Sequence, residues 1–212
     1  MKNNKYNTPI FQNLSYGGGG GTVEGLDTST ITDFSYFGQN NRFGTGEILT
    51  GLNTKSGTNF SGMFSNCRSL TTIPQLDTSN GTNFSGMFDN CSNLTTIPQL
   101  NTSKGTFFSR MFNNCRSLTT IELTSFVSDD NIFYNCSALE NLTITGTITV
   151  NNNNLNLSGS PKLTVESLMS VINALADNTG KTTYTVTLGE TNLAKLTDEQ
   201  KQIAIDKNYT LA

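Results

Sequence analysis

Apolar residues recur along this chain at distances longer than any secondary-structure period. Phe60, Phe84 and Phe108 recur at one even step, and Phe34 precedes them at a slightly longer one. Phe64, Phe88 and Phe112 keep the same step, and Phe133 follows at a slightly shorter one. Leu70, Leu94, Leu118 and Leu139 form another row, and Ile73, Ile97, Ile121 and Leu142 a further one. The polar residues between them repeat as well: residues 58–76 return as 82–100 and, edited, as 106–121. Apolar positions in register at such a period predict stacked coils rather than one compact core.

Each stretch of a coil carries its own local signal. Leu-Thr-Thr-Ile, as in Leu94 to Ile97, predicts a short strand with apolar ends and a β-branched centre. Stacked strands lie about 4.8 Å apart and would form a parallel sheet along the stack. Pro74 and Pro98 would end the strand, where a missing donor is tolerated. Asp77-Thr78-Ser79-Asn80-Gly81 is turn chemistry, with Gly81 suited to positive φ. Phe84, Met87, Phe88 and Cys91 fall at i, i+3, i+4 and i+7, which predicts a helical turn closing the coil. Asn66, Asn90, Asn114 and Asn135 are expected to bond their own backbone.

After Cys136 the repeat loosens. Residues 141–150 alternate as a half-exposed strand does, Asn151 to Asn154 read as a polar turn, and Leu155-Asn156-Leu157 is a further strand-like step. Thr164 predicts a cap for a helix from Val165 to about Asp177, with Leu168, Val171, Ile172 and Leu175 on one face. Tyr184 to Leu188 alternates again. Thr197 and Gln200 form a capping box for a helix from Asp198 to about Lys207, and Tyr209-Thr210-Leu211 is a last strand. A less repetitive, helical end suits the cap that an open stack requires. The chain thus divides into residues 1–21, a docking segment ending in the glycine run Gly17 to Gly21; residues 22–145, the repeats; and residues 146–212, irregular coils and a helical cap.

Composition narrows the function. Net charge is -3 with only 14% charged residues and no Lys/Arg run, which argues against nucleic acid and against attraction to an anionic membrane. No stretch approaches the roughly 20 apolar residues of a membrane span. The opening residues Met1 to Pro9 contain no apolar core of a signal peptide, so none is expected. Cys67, Cys91, Cys115 and Cys136 are spaced as the repeat itself is, one to each coil. They read as a ladder of buried thiols, close enough for oxidation without requiring it, and not as a metal site, which usually draws on tight pairs. The chain has no His, which excludes Ser/His/Asp and Cys/His nucleophiles. Asp129 and Asp130 read as a solvated turn, with Ca²⁺ binding the alternative, although the full oxygen-ligand pattern is missing. No enzyme, cofactor or metal is expected; a glycosidase built on paired acids is the formal rival.

Binding then falls to exposed positions. Thr71, Thr95 and Thr119 would form a hydroxyl ladder on the sheet face, extended by Gln75 and Gln99 and flanked by Arg68 and Arg116. The alternative is that Thr is simply a good strand residue. Departures from the repeat carry more information. Phe107 stands where other coils have Asn59 and Asn83, and Arg110 where they have Gly62 and Gly86. An exposed aromatic beside an Arg suits a sugar or protein contact. Packing against the irregular coil that begins near Glu122 is the other reading.

The unit Met87-Phe88-Asp89-Asn90-Cys91-Ser92-Asn93-Leu94-Thr95-Thr96-Ile97 resembles the BspA-type bacterial leucine-rich repeat. The stretch Leu76 to Phe88 is similar to the variant of that repeat in mycoplasma surface lipoproteins. This resemblance spans about residues 26–145. The tail, Leu175 to Gly180 and Thr191 to Lys201, is similar to the C-terminal ends of repeat proteins from gut Firmicutes and their phages. The resemblance implies a leucine-rich-repeat β-solenoid, right-handed, of roughly six to eight coils, with a parallel sheet, short helical turns and an α/β C-terminal cap. It also implies an extracellular recognition scaffold, often an adhesin, without catalytic residues. No signal peptide, lipobox or wall anchor is expected, which departs from the pattern of bacterial members. The expected role is therefore a phage or phage-like virion component, in the tail or on the surface. It would bind a host-surface glycan or protein and dock to other virion or surface proteins through residues 1–21, with homo-oligomers open. A bacterial cell-surface adhesin-like protein is the alternative.

Overall fold

The computed structural model describes residues 27–40, 51–128, 131–150 and 155–212. Successive blocks lie one above another because alternate backbone amides point in different directions. The N–H groups of Phe60, Gly62, Phe64 and Asn66 donate to Asn83, Ser85, Met87 and Asp89 of the next block at 2.7–2.8 Å. The intervening amides of Met63, Ser65 and Cys67 turn back within their own block at 3.0–3.2 Å. Residues 84–90 repeat the pattern onto residues 107–113. The helical turn expected over Phe84 to Cys91 is therefore absent, and tight turns take its place. Gly86 (φ 60) and Asn90 (φ 61) are left-handed, which breaks a helix and frees amides to cross between blocks. The Asn row is explained the same way: Asn66, Asn90, Asn114 and Asn135 all sit near φ 60. Their side-chain amides do not bond their own backbone as expected; Asn114 Nδ2 donates to Asn90 Oδ1 at 3.0 Å and Asn66 Nδ2 to Ser65 Oγ at 3.2 Å.

The interior is two ladders of rings. Phe34, Phe60, Phe84 and Phe108 stack at 5.5–5.7 Å between centroids, and Phe64, Phe88, Phe112 and Phe133 at 5.6–5.8 Å. Phe126 meets Phe108 and Phe133 edge-on and closes the first ladder where the repeat shortens. Gly57, Gly81 and Gly105 have no positive φ, contrary to the expectation for Gly81. A Cβ on them would lie 2.4, 2.3 and 2.1 Å from the rings of Phe60, Phe84 and Phe108, so these glycines make room for the ladder. A buried row, Thr28, Thr54, Thr78 and Thr102, donates its hydroxyls to the carbonyls of Asn53, Asp77, Asn101 and Ser125.

The strands expected at residues 70–73 and 94–97 are not regular strands; Thr96 makes a single parallel bridge to Thr120. Regular pairing begins with β1 (Thr120–Leu123), which runs parallel to β3 (Asn141–Ile144). Glu122 stands here at the place that Pro74 and Pro98 hold in the preceding blocks. β2 (Phe126–Val127) pairs with β4 (Ile148–Thr149). The single strand expected over residues 141–150 is split at Gly146, where a Cβ would stand 2.3 Å from the Thr124 carbonyl oxygen.

The C-terminal part alternates β5 (Leu155–Asn156), α1 (Val165–Ala174), β6 (Tyr184–Thr187), α2 (Glu190–Leu193), α3 (Asp198–Asp206) and β7 (Tyr209–Leu211), with parallel strand order β5-β6-β7. Thr164 caps α1, and Thr197 with Gln200 forms the capping box of α3. α1 stops before Asp177 because Leu175 turns extended (ψ 128) and bridges to Ile148. Lys207 Nζ donates to the carbonyls of Ile172, Asn173 and Leu175 at 2.7–3.2 Å and satisfies the end of that helix. The short α2 had no counterpart in the sequence reading. One continuous core runs from Ile31 to Tyr209.

Candidate functional site

The Thr row is committed to the backbone. Thr95 and Thr119 donate their hydroxyls to the carbonyls of Thr71 and Thr95 at 3.1 and 3.2 Å, and their amides reach the same two oxygens at 3.0 Å. Thr58, Thr82 and Thr106 make a second such row, onto Thr32, Thr58 and Thr82. These hydroxyls tie blocks together through the backbone. Arg68 and Arg116 are exposed and lie two blocks apart. With the Asn135 amide oxygen turned toward it, Arg116 Nε donates at 3.2 Å.

Gln75 and Gln99 belong to an open groove of about 390 Å³ whose other walls include Asp77, Ser79, Asn101 and Thr124. Gln75 Nε2 donates to the Gln99 carbonyl at 3.0 Å. The Ser79 hydroxyl (2.6 Å) and amide (3.1 Å) donate to Asp77 Oδ1 and hold this carboxyl below its ordinary range. Besides the Asp77 carboxylate and Leu76 the groove is lined by amides and hydroxyls, with no aromatic ring among the described residues.

The turn face is different in kind. Asn59 and Asn83 accept the amides of Ser61 and Ser85 on Oδ1 at 3.1 and 3.0 Å. Phe107 occupies the next place in this row, paired by a backbone bridge to Asn83, and its side chain has no oxygen to offer. Its ring is 57% exposed, so it does not pack into the irregular segment after Glu122. Arg110 occupies the left-handed place of Gly62 and Gly86 with φ 58, and it is exposed. Asn113, one turn on, donates from Nδ2 to Asp89 Oδ1 at 2.7 Å. Tyr134, 56% exposed, follows Asn113 in register, its carbonyl accepting the Asn114 amide at 2.8 Å.

Phe107 and Arg110 are thus both exposed, three residues apart in the turn segment of one block. The Thr71, Thr95 and Thr119 row lies on a different segment, after the cysteine turn. Tyr134, Asp89 and Asn113 were not singled out from the sequence. The signal available for Tyr134 was its place in the row of Ser65, Asp89 and Asn113, where an aromatic is as unusual as Phe107 is in its own row. Asp129, Asp130, the turn Asn151 to Asn154 and the docking segment 1–21 lie outside the described residues.

The four thiols are fully buried and form no disulfide. Each donates to a carbonyl of the preceding block: Cys67 to Gly38, Cys91 to Phe64, Cys115 to Phe88 and Cys136 to Phe112, at 2.9–3.1 Å. Burial pushes the Cys91 and Cys115 thiols well up and that of Cys136 up to about 12. Such thiols are poor nucleophiles. Among the described residues no cluster of three acidic or cysteine side chains could hold a metal ion. No described helix is long and apolar enough to cross a membrane.

A family described as Mycoplasma protein of unknown function, DUF285, matches residues 8–126, more than half of the 212-residue chain. No curated protein and no solved structure matches the chain.

Proposed function

The chain belongs to the DUF285 family, and from that premise we propose that its blocks form a leucine-rich-repeat β-solenoid of the BspA type serving as a non-enzymatic recognition scaffold. The observation that carries this reading is the division of labour within each block. Interior and backbone-linking rows are held constant, whereas Phe107 and Arg110 break the repeat on the turn face. Residues that abandon a cap and a glycine without entering the core fit a surface selected for contact. The scaffold would sit in the tail or on the surface of a phage or phage-like particle and bind a host-surface ligand, with residues 1–21 docking it to neighbouring proteins. The resemblance of the tail to repeat proteins of gut Firmicutes and their phages is compatible with that location and with a bacterial cell surface.

The test is cryo-electron microscopy with mass spectrometry of particles released from the source culture, alongside binding of the labelled full chain to intact cells from that culture. Finding the chain in a tail or capsid, and binding of the free chain to cells, is the expected result. Finding it only in cell envelopes would remove the virion reading, and absence of cell binding would remove recognition.

A further inference from the structure

We propose that the turn face around Phe107 and Arg110 is a glycan-binding site, with Tyr36 and Tyr134 at its flanks and the Asp89–Asn113 pair supplying polar contacts. The proposal deepens the recognition reading and rests on it.

Backbone geometry marks the place first. Among the described residues nine non-glycine residues have positive φ, and seven of them are Asn. The other two, Tyr36 and Arg110, stand in the same row, the row that Gly62 and Gly86 fill in the blocks between. Bulky residues in this region are strained and tend to mark function. Phe107, one turn before Arg110, gives up the side-chain cap that Asn59 and Asn83 provide. Two neighbouring departures, each locally unfavourable, are hard to account for by folding.

The shape fits one sugar ring. The Tyr36 ring lies against Gly62, where a Cβ would be 2.5 Å from two of its carbons. Above Gly86 the nearest atom to such a Cβ is that of Asp89, at 3.7 Å. Space therefore opens over Gly86, one block beyond the Tyr36 ring and one block before Arg110 in the same row. Interior rings of successive blocks stand 5.5–5.7 Å apart, so a block without a side chain at this place leaves a layer that one pyranose ring can occupy.

The chemistry favours a glycan over a protein. A protein hot spot needs a contiguous desolvated apolar centre. Here Phe107 is set among Ser, Asn, Gly and Thr, and Tyr36 and Tyr134 stand in other blocks. A sugar presents an apolar C–H face to one ring and hydroxyls to planar groups around it. Arg110 donates, the Asp89 carboxylate accepts, and the bond from Asn113 Nδ2 to Asp89 Oδ1 fixes where that carboxylate faces.

The full chain and the variant Phe107→Asn/Arg110→Gly are applied to a printed array of bacterial surface polysaccharides and mammalian glycans, followed by titration with the strongest hit. Both substitutions restore the residues of the repeat, so the variant should melt at the same temperature or higher while glycan affinity falls more than tenfold. Unchanged affinity in the variant would overturn the site. Binding of the unaltered chain to intact cells without binding any glycan would overturn the ligand class in favour of a protein and leave the recognition reading standing. Binding to neither would overturn both.

Discussion

Cys115 Sγ donates to the carbonyl oxygen of Phe88 at 3.1 Å, and the same oxygen receives the amide of Cys91 at 3.1 Å. Both lone pairs of one carbonyl are thus used, one within the block and one between blocks. Phe64 and Phe112 repeat the arrangement. The cysteines are hydrogen-bonding rungs, and burial keeps Cys91, Cys115 and Cys136 protonated. In the native protein, Ellman's reagent should label none of the four over the time in which all four react in denaturant. Rapid labelling of any one at neutral pH would contradict the burial. Cys115→Ala should cost about 1–2 kcal/mol in urea unfolding.

Ser160 follows Cys136 by one repeat step and carries a buried hydroxyl with no hydrogen-bond partner. Its amide donates to Leu157 as that of Cys136 does to Phe133. A longer C–S bond would extend the row's reach toward the preceding block. Ser160→Cys should therefore stabilise the protein by about 1 kcal/mol, read from the urea midpoint. A loss of stability would show that the row ends at Cys136.

Phe84 is stacked between Phe60 and Phe108 with Gly81 beneath its ring. Phe84→Ala should cost about 3–5 kcal/mol. Gly81→Ala, ordinarily a mild change, should cost about 1–3 kcal/mol because the new methyl meets the ring. A neutral Gly81→Ala would mean the ladder yields easily.

Asp77 has its folded pKa lowered, chiefly by the Ser79 hydroxyl and then by the Ser79 amide. Its contribution is then fully present above the ordinary aspartate value of about 3.9 and is lost as pH falls through the depressed folded value. Asn53, Asn59, Asn83 and Asn101 make the same amide cap without charge. Asp77→Asn should keep the amide cap, lose the carboxylate's contribution at neutral pH and flatten the dependence as pH falls below the ordinary aspartate range. An unchanged acid profile would place the pH dependence elsewhere.

The rows of Phe, Leu, Cys and Asn were legible in the sequence because a block that stacks on its copy must present the same residue at the same height. Caps were legible for the same local reason: Thr164 and the Thr197–Gln200 box act within a few residues. The helical spacing of Phe84, Met87, Phe88 and Cys91 misled because positive φ at Gly86 and Asn90 is invisible to periodicity. Only the stacked arrangement decides that alternate amides cross to the next block, and that Gly81 is a matter of space and not of φ.

The sequence by itself determined which residues are interior and that the blocks repeat, since burial of a periodic apolar set needs no further information. It also marked Phe107 and Arg110 as departures. The tertiary structure decided what the polar residues do. Thr95 could have faced a ligand or the backbone, and the carbonyl of Thr71, in the preceding block, takes its hydroxyl. Phe107 could have packed inward or stood in solvent, and its place in the row of Asn59 and Asn83 leaves the ring exposed. Hydrogen-bond partners and exposure are set by neighbours in space, and for these residues the neighbours belong to other blocks of the chain.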